Sequence, residues 1–95
     1  MFLLNSGTGI GRNAAGVVEV NNGTAGTFRD IKARNIISDN TVQLKGFTVA
    51  TLPAGTVGMT AYVTDATAPT YLGALTGGGA VVCPVFYNGS AWVSA

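Results

Sequence analysis

An all-β fold is expected from three features of the chain. Apolar residues show no sustained 3.6-residue period. Glycine and threonine recur every few residues, with β-branched and aromatic residues between them. The final stretch, GGGAVVCPVFYNGSAWVSA, sets an Asn-Gly pair between two apolar runs. Short apolar runs bounded by turn residues read as strands, and Asn-Gly is a strong hairpin signal because a type I′ turn needs φ > 0 at both central positions. With a loop at Asn88 and Gly89 alone, Tyr87 faces Ser90, Phe86 faces Ala91 and Val85 faces Trp92, an aliphatic–aromatic cross-strand pair in mid-ribbon. The chain is then expected to finish inside a sheet, as a terminal cap.

The remaining elements follow in order. NSGTGIGRNAAG (5–16) is glycine-rich with little to pack and reads as a loop or loosely wound connection. GVVEV (16–20) is a short strand with Val18 and Val20 on one face and Val17 and Glu19 on the other, and NNGT (21–24) is a turn. TFRDIKARNII (27–37) favours a strand, because a helix would gather only Phe28, Ile31 and Asn35 into a poor stripe. TVQLKGFTVATLPAG alternates, with Val42 and Leu44 opposite Phe47, Val49 and Thr51, and Gly46 between the runs predicts a bulge or kink. MTAYVTDA is a strand with Met59, Ala61 and Val63 on one side and Thr60, Tyr62 and Thr64 on the other. TYLGAL is a short strand or an irregular arm, TGGG a turn, and the terminal hairpin follows. The echo between NNGTAG and YNGSAW marks two tight turns and does not establish a repeat.

Charge divides the chain near residue 45. Residues 1–45 carry Arg12, Arg29, Lys32, Arg34 and Lys45 against Glu19, Asp30 and Asp39, a balance of +5 − 3 = +2, whereas residues 46–95 carry only Asp65. The chain is 47% apolar and 9% charged, against about 25% charged residues in an ordinary soluble domain. A chain of this size buries only about 60–65% of the surface its unfolded form exposes. Much of the uncharged half is therefore expected to lie against other copies of the chain, the alternative being a surface of hydroxyls, amides and backbone. A net charge of +1 with no basic run gives no footprint for nucleic acid. Cys83, the sole cysteine, reads as a small buried hydrophobe. MFLLNSG lacks a positive n-region and is too short for a signal peptide or a membrane span, so no secretion address and no membrane insertion are expected.

Residues 46–95 carry, in order, a TVATLPA-G turn, a G-x-x-A-x-V-T-D-A strand exit, an arm ending in GGGA, the apolar strand VVCPVF and Y-N-G-S-A-W. This order resembles a C-terminal module common at the ends of bacteriophage tail fibres and other phage structural proteins. The upstream GVVEVNNGTAGTFRDIKARNII is similar to shaft segments that precede it. The resemblance implies an intertwined homotrimer built from a shaft-like segment (1–45) and a C-terminal β knob (46–95), located in the virion. It implies a module that trimerises and caps the fibre and can present a host-receptor surface to a cell-surface glycan or protein. A glycan-binding adhesion module and a head-fibre or decoration protein are the alternatives. Phe47, Val49, Leu52, Val63, Val82, Val85, Phe86 and Trp92 are the expected trimer interface and core. Arg29, Asp30, Lys32 and Arg34 would form inter-chain ion pairs along a shaft or a solvated face.

Catalysis is not expected, nor any cofactor or metal. Histidine is absent, and Glu19, Asp30, Asp39 and Asp65 are far apart in sequence. SGTGIGR lacks the Gly-Lys-Ser/Thr ending of a phosphate loop and reads as a connector. Asp65 in VTDATAP favours an Asx turn over a place on a three-fold axis holding an ion. Tyr62, Tyr71, Tyr87 and Trp92 suit either a buried interface or a sugar platform. Tyr71, flanked by Pro69 and Gly73, is the residue expected to contact a receptor.

Overall fold

The computed structural model describes residues 2–5, 7–12 and 14–95, with side chains described from residue 7 onward. Among these the fold is all-β, with one 3-10 turn and no α-helix. The chain divides into two compact units, Met1–Asp39 and Asn40–Ala95.

The first unit is an antiparallel sheet of β1 (Phe2–Asn5), β2 (Thr8–Arg12) and β3 (Val18–Asn21) in that order. The segment expected as a glycine-rich loop thus supplies most of a hairpin; Met1, Ser6 and Asn13 lie outside the described residues. The glycines have a packing role. Gly9 lies opposite Asn21 and Gly11 opposite Glu19 in the β2–β3 register, so the face that buries two polar side chains meets no bulk from the neighbouring strand. Glu19 is 5% exposed and Asn21 is buried, while Val18 on the other face is 76% exposed. The alternation read from GVVEV therefore holds, but its polar face is the one turned inward. Residues 22–28 turn back alongside β3, where Asn22 N donates to Thr27 O and Phe28 bridges Asn21. Glu19 Oε1 accepts from Gly26 N (2.6 Å) and Asn21 Nδ2 (3.1 Å), Asn21 Oδ1 accepts from Gly23 N (2.9 Å), and Arg29 N donates to Val20 O (3.1 Å).

TFRDIKARNII does not form the expected strand. Phe28 makes one isolated bridge to Asn21, and residues 29–37 have no regular secondary structure. Phe28, Ile31, Ile36 and Ile37 are all exposed, so the strand signal finds no partner within one chain.

The second unit is a four-stranded sheet of β4 (Gly46–Phe47), β5 (Thr60–Ala66), β6 (Val81–Tyr87) and β7 (Trp92–Ser94) in that order. β4 is parallel to β5 and the other pairs are antiparallel. The long strand expected over 41–51 shrinks to β4, because Val49–Thr51 turn into a 3-10 helix capped by Thr48. Thr48 N donates to Thr51 Oγ1 (3.0 Å), and Asp65 Oδ1 takes Val49 N at 2.8 Å. Side-chain acceptors of this kind compete with a ladder for backbone donors. Gly46 is not a bulge; a Cβ there would lie 2.7 Å from the Tyr62 ring, so its backbone forms the seat of that ring. β5 matches its expected alternation at Ala61 and Val63, both buried. The register then shifts between Val63 and Ala66, a bulge that returns Ala66 to the core.

The terminal hairpin forms, but with a longer loop. Tyr87 pairs with Trp92, Phe86 with Val93 and Val85 with Ser94, leaving Asn88–Ala91 as the loop. Asn88 Oδ1 captures the N–H groups of Ser90 (2.8 Å) and Ala91 (2.9 Å), which draws both residues out of the ladder. The slip is an even number of residues, so Trp92 keeps the side of the sheet it shares with Val85. It meets Tyr87 edge-on, centroids 5.5 Å apart, and donates from Nε1 to Pro53 O (2.9 Å). TYLGAL is an irregular arm. Leu72 N donates to Ser94 O, Ser94 N to Gly73 O, and Ala74 bridges Val93, so the arm covers the outer edge of β7. Leu72 sits at φ 56°, a left-handed conformation costly for a side-chain residue and held here by those bonds.

Candidate association surface

The register of the second sheet sorts its side chains into two faces. The inner face carries Ala61, Val63, Ala66, Cys83 and Val85, and Phe47, Val49, Leu52, Leu75 and Trp92 pack against them. This is a small core of aliphatic side chains and a thiol, with the buried hydroxyl of Ser94 opposite Val85. Cys83 is free and buried, its Sγ 3.2 Å from Pro84 O. Asp65 does not make the expected local Asx turn. It is a clamp between distant segments: Oδ1 holds Val49 N, Oδ2 approaches Gly78 N (3.4 Å), and its carbonyl accepts from Gly79 N (2.9 Å).

The outer face is different. Thr60 pairs with Phe86, Tyr62 with Pro84, and Phe86 with Val93. Partners directly opposite in a ladder share a face, so Tyr62, Pro84, Phe86 and Val93 stand together, and Val82 follows by alternation. Val82 is 66% exposed, Pro84 is exposed, and Tyr62 and Phe86 are half-buried. Val93 on this face is buried, and the cluster of Ala61, Val63, Cys83 and Val85 lies on the opposite side.

The residues expected at an interface or core therefore fall into three positions. Val63 and Val85 are the centre of the unit's own core; Phe47, Val49, Leu52 and Trp92 cover it; Val82 and Phe86 lie on the outer face. Tyr71, the expected receptor contact, is 82% exposed on the arm. Sequence reasoning missed Pro84 and Tyr62 as a cross-strand pair on the outer face. The signal was present in VVCPVFY, whose alternate residues Val82, Pro84 and Phe86 are all apolar, and would have needed the β5 register to read. Proline suits this position. Its carbonyl accepts from Ala95 N (2.9 Å), and having no N–H it returns no bond in that pair.

Among the described residues, no group of three His, Cys, Asp or Glu side chains could hold a metal ion, and no helix is long and apolar enough to cross a membrane. No family model, curated protein or solved structure matches the chain.

Proposed function

We propose that this chain is the self-associating end of a fibre: an all-β module of a phage tail fibre or related virion fibre whose copies join as a homotrimer, cap the shaft and can present a surface to the host. Its work is association, without covalent chemistry. The observation that carries the reading is the apolar outer face, with Val82 and Pro84 exposed and Phe86 and Tyr62 half-buried beside them, in a unit with only Lys45 and Asp65 as charged side chains. Bringing an exposed Val or Phe out of water contributes about 1.5–3 kcal/mol, and sharing one core among copies offsets the small size of each. Order of motifs in residues 46–95 supports the fibre context.

The test is a fusion. Attached behind a monomeric carrier protein, the chain should bring three carriers into each particle, counted by mass. A carrier that stays monomeric would refute the reading. A second reading, a glycan-binding adhesion module, draws on the exposure of Tyr71; it requires that Tyr71→Ala abolish binding to the host surface while the particle mass is unchanged.

A further inference from the structure

Two Asn-Gly pairs, Asn22–Gly23 and Asn88–Gly89, each follow directly on a strand, the first on β3 and the second on β6. In such a pair the asparagine side-chain amide is open to attack by the next backbone nitrogen, because glycine has no Cβ to hinder the approach. The fold holds the two pairs differently.

At Asn22 the nucleophile is tied down. Gly23 N donates to Asn21 Oδ1 (2.9 Å), and Asn21 is itself buried. Asn22 is half-buried, its Oδ1 taking Thr24 N (3.1 Å) and Thr27 Oγ1. At Asn88 the nucleophile is free. Among the described residues Gly89 N has no hydrogen-bond partner, and both Asn88 and Gly89 are exposed. The electrophile is prepared as well. Asn88 Oδ1 accepts from Ser90 N (2.8 Å) and Ala91 N (2.9 Å), which draws electron density onto that oxygen. Backbone donors converging on one oxygen stabilise the oxyanion of a tetrahedral intermediate.

We infer that the β6–β7 hairpin carries a self-modification site: Asn88 loses its side-chain amide through a succinimide formed with Gly89, while Asn22 is spared. Hydroxide takes the Gly89 N–H proton, the nitrogen bonds to Asn88 Cγ, and the negative charge on Oδ1 rests on Ser90 N and Ala91 N. Collapse of this intermediate breaks the Cγ–Nδ2 bond, and a proton from water releases ammonia and returns hydroxide. A second water opens the five-membered ring at either carbonyl, leaving aspartate or isoaspartate at position 88. Isoaspartate adds a backbone carbon to the loop that sets Tyr87 opposite Trp92, so this product loosens the cover that Trp92 gives the core. The inference does not rest on association between copies.

The experiment ages the full chain in mildly alkaline buffer, once folded and once in concentrated urea. Both asparagines are followed by peptide mass mapping, and isoaspartate is counted by enzymatic methyl transfer. In the folded chain Asn88 should convert about tenfold faster than Asn22, the rate ratio for one hydrogen bond surrendered by the nucleophile. In urea the two rates should become equal, with Asn88 no faster there than in the folded chain. Trp92 emission should shift to the red as isoaspartate accumulates. Asn88→Gln, whose longer side chain cannot close the five-membered ring, should abolish both the conversion at this position and the emission change. Equal rates in the folded chain, a faster Asn22, an Asn88 that speeds up on unfolding, or an emission change that persists in Asn88→Gln would overturn the inference.

Discussion

The two units of this chain partition polar and apolar residues in opposite ways. In Met1–Asp39 the sheet buries a carboxylate and an amide, Glu19 and Asn21, and leaves Val18, Phe28, Ile31, Ile36 and Ile37 in solvent. In Asn40–Ala95 the sheet buries Val63, Cys83 and Val85 on one face and leaves Val82 and Pro84 exposed on the other. Among the described residues, loop N–H groups donate to the buried Glu19 Oε1 and Asn21 Oδ1 of the first unit; Glu19 Oε2 is buried without a partner, as is Ser94 Oγ in the second. The second is held by packing. A polar interior contributes little net stability, since each hydrogen bond replaces one to water. Among the described residues, the first unit leaves its larger apolar side chains in solvent, whereas the second packs Phe47, Leu52 and Trp92 on its own core and exposes Val82 and Pro84.

The comparison breaks most sharply in the core of the second unit. Val85→Asp places an unpaired charge where the side chain is 1% exposed, costing about 3–5 kcal/mol. The amide dispersion of β5–β7 should collapse while the slow exchange of Gly26 N–H in the first unit survives. Loss of both together would mean that the units do not fold separately. Phe86→Ala comes next, and its size depends on concentration. Buried between copies, the ring is worth about 3–5 kcal/mol, so the melting temperature should fall at high concentration and change little in the dissociated chain. A drop of equal size at all concentrations would place Phe86 in the core of one copy.

Much of this was legible in the sequence, and the rest was hidden for identifiable reasons. Alternation found β5 and the β6–β7 hairpin because their inward residues are aliphatic and their breakers are Gly, Pro and Asn. It lost β2 because Gly9 and Gly11 carry no side chain to alternate, and their purpose is visible only opposite Asn21 and Glu19. The hairpin register slipped because Asn88 spends its side chain on Ser90 and Ala91, a choice that Asn-Gly alone does not reveal. The role of Asp65 was out of reach, since Val49 lies sixteen residues away and local spacing favours an Asx turn. For the association surface, composition pointed to the uncharged half, but which apolar residues turn outward is a question of register.

Smaller changes sharpen the contrast. Asp65→Ala frees Val49 N and Gly78 N and should cost about 1.5–3 kcal/mol by thermal melting; Asp65→Asn, which keeps an acceptor for Val49 N, should restore much of it. If alanine and asparagine behave alike, the clamp is not structural. Glu19→Ala removes the acceptor for Gly26 N and should cost about 1 kcal/mol, read as faster hydrogen exchange at Gly26 with β5 and β6 unaffected. Ile37→Lys alters a side chain that is 90% exposed, so within one chain it should change stability by less than about 0.5 kcal/mol. Its effect should instead appear in the concentration at which copies associate.

Whether the outward apolar residues of both units meet other copies of this chain is tested most directly by its solution mass, measured by light scattering across a dilution series. A mass near three chains that holds over the series is the predicted result, and it would make the face of Val82, Pro84 and Phe86 a shared core. A persistent single-chain mass at every concentration would contradict it, leaving those side chains exposed to water with no copy to cover them.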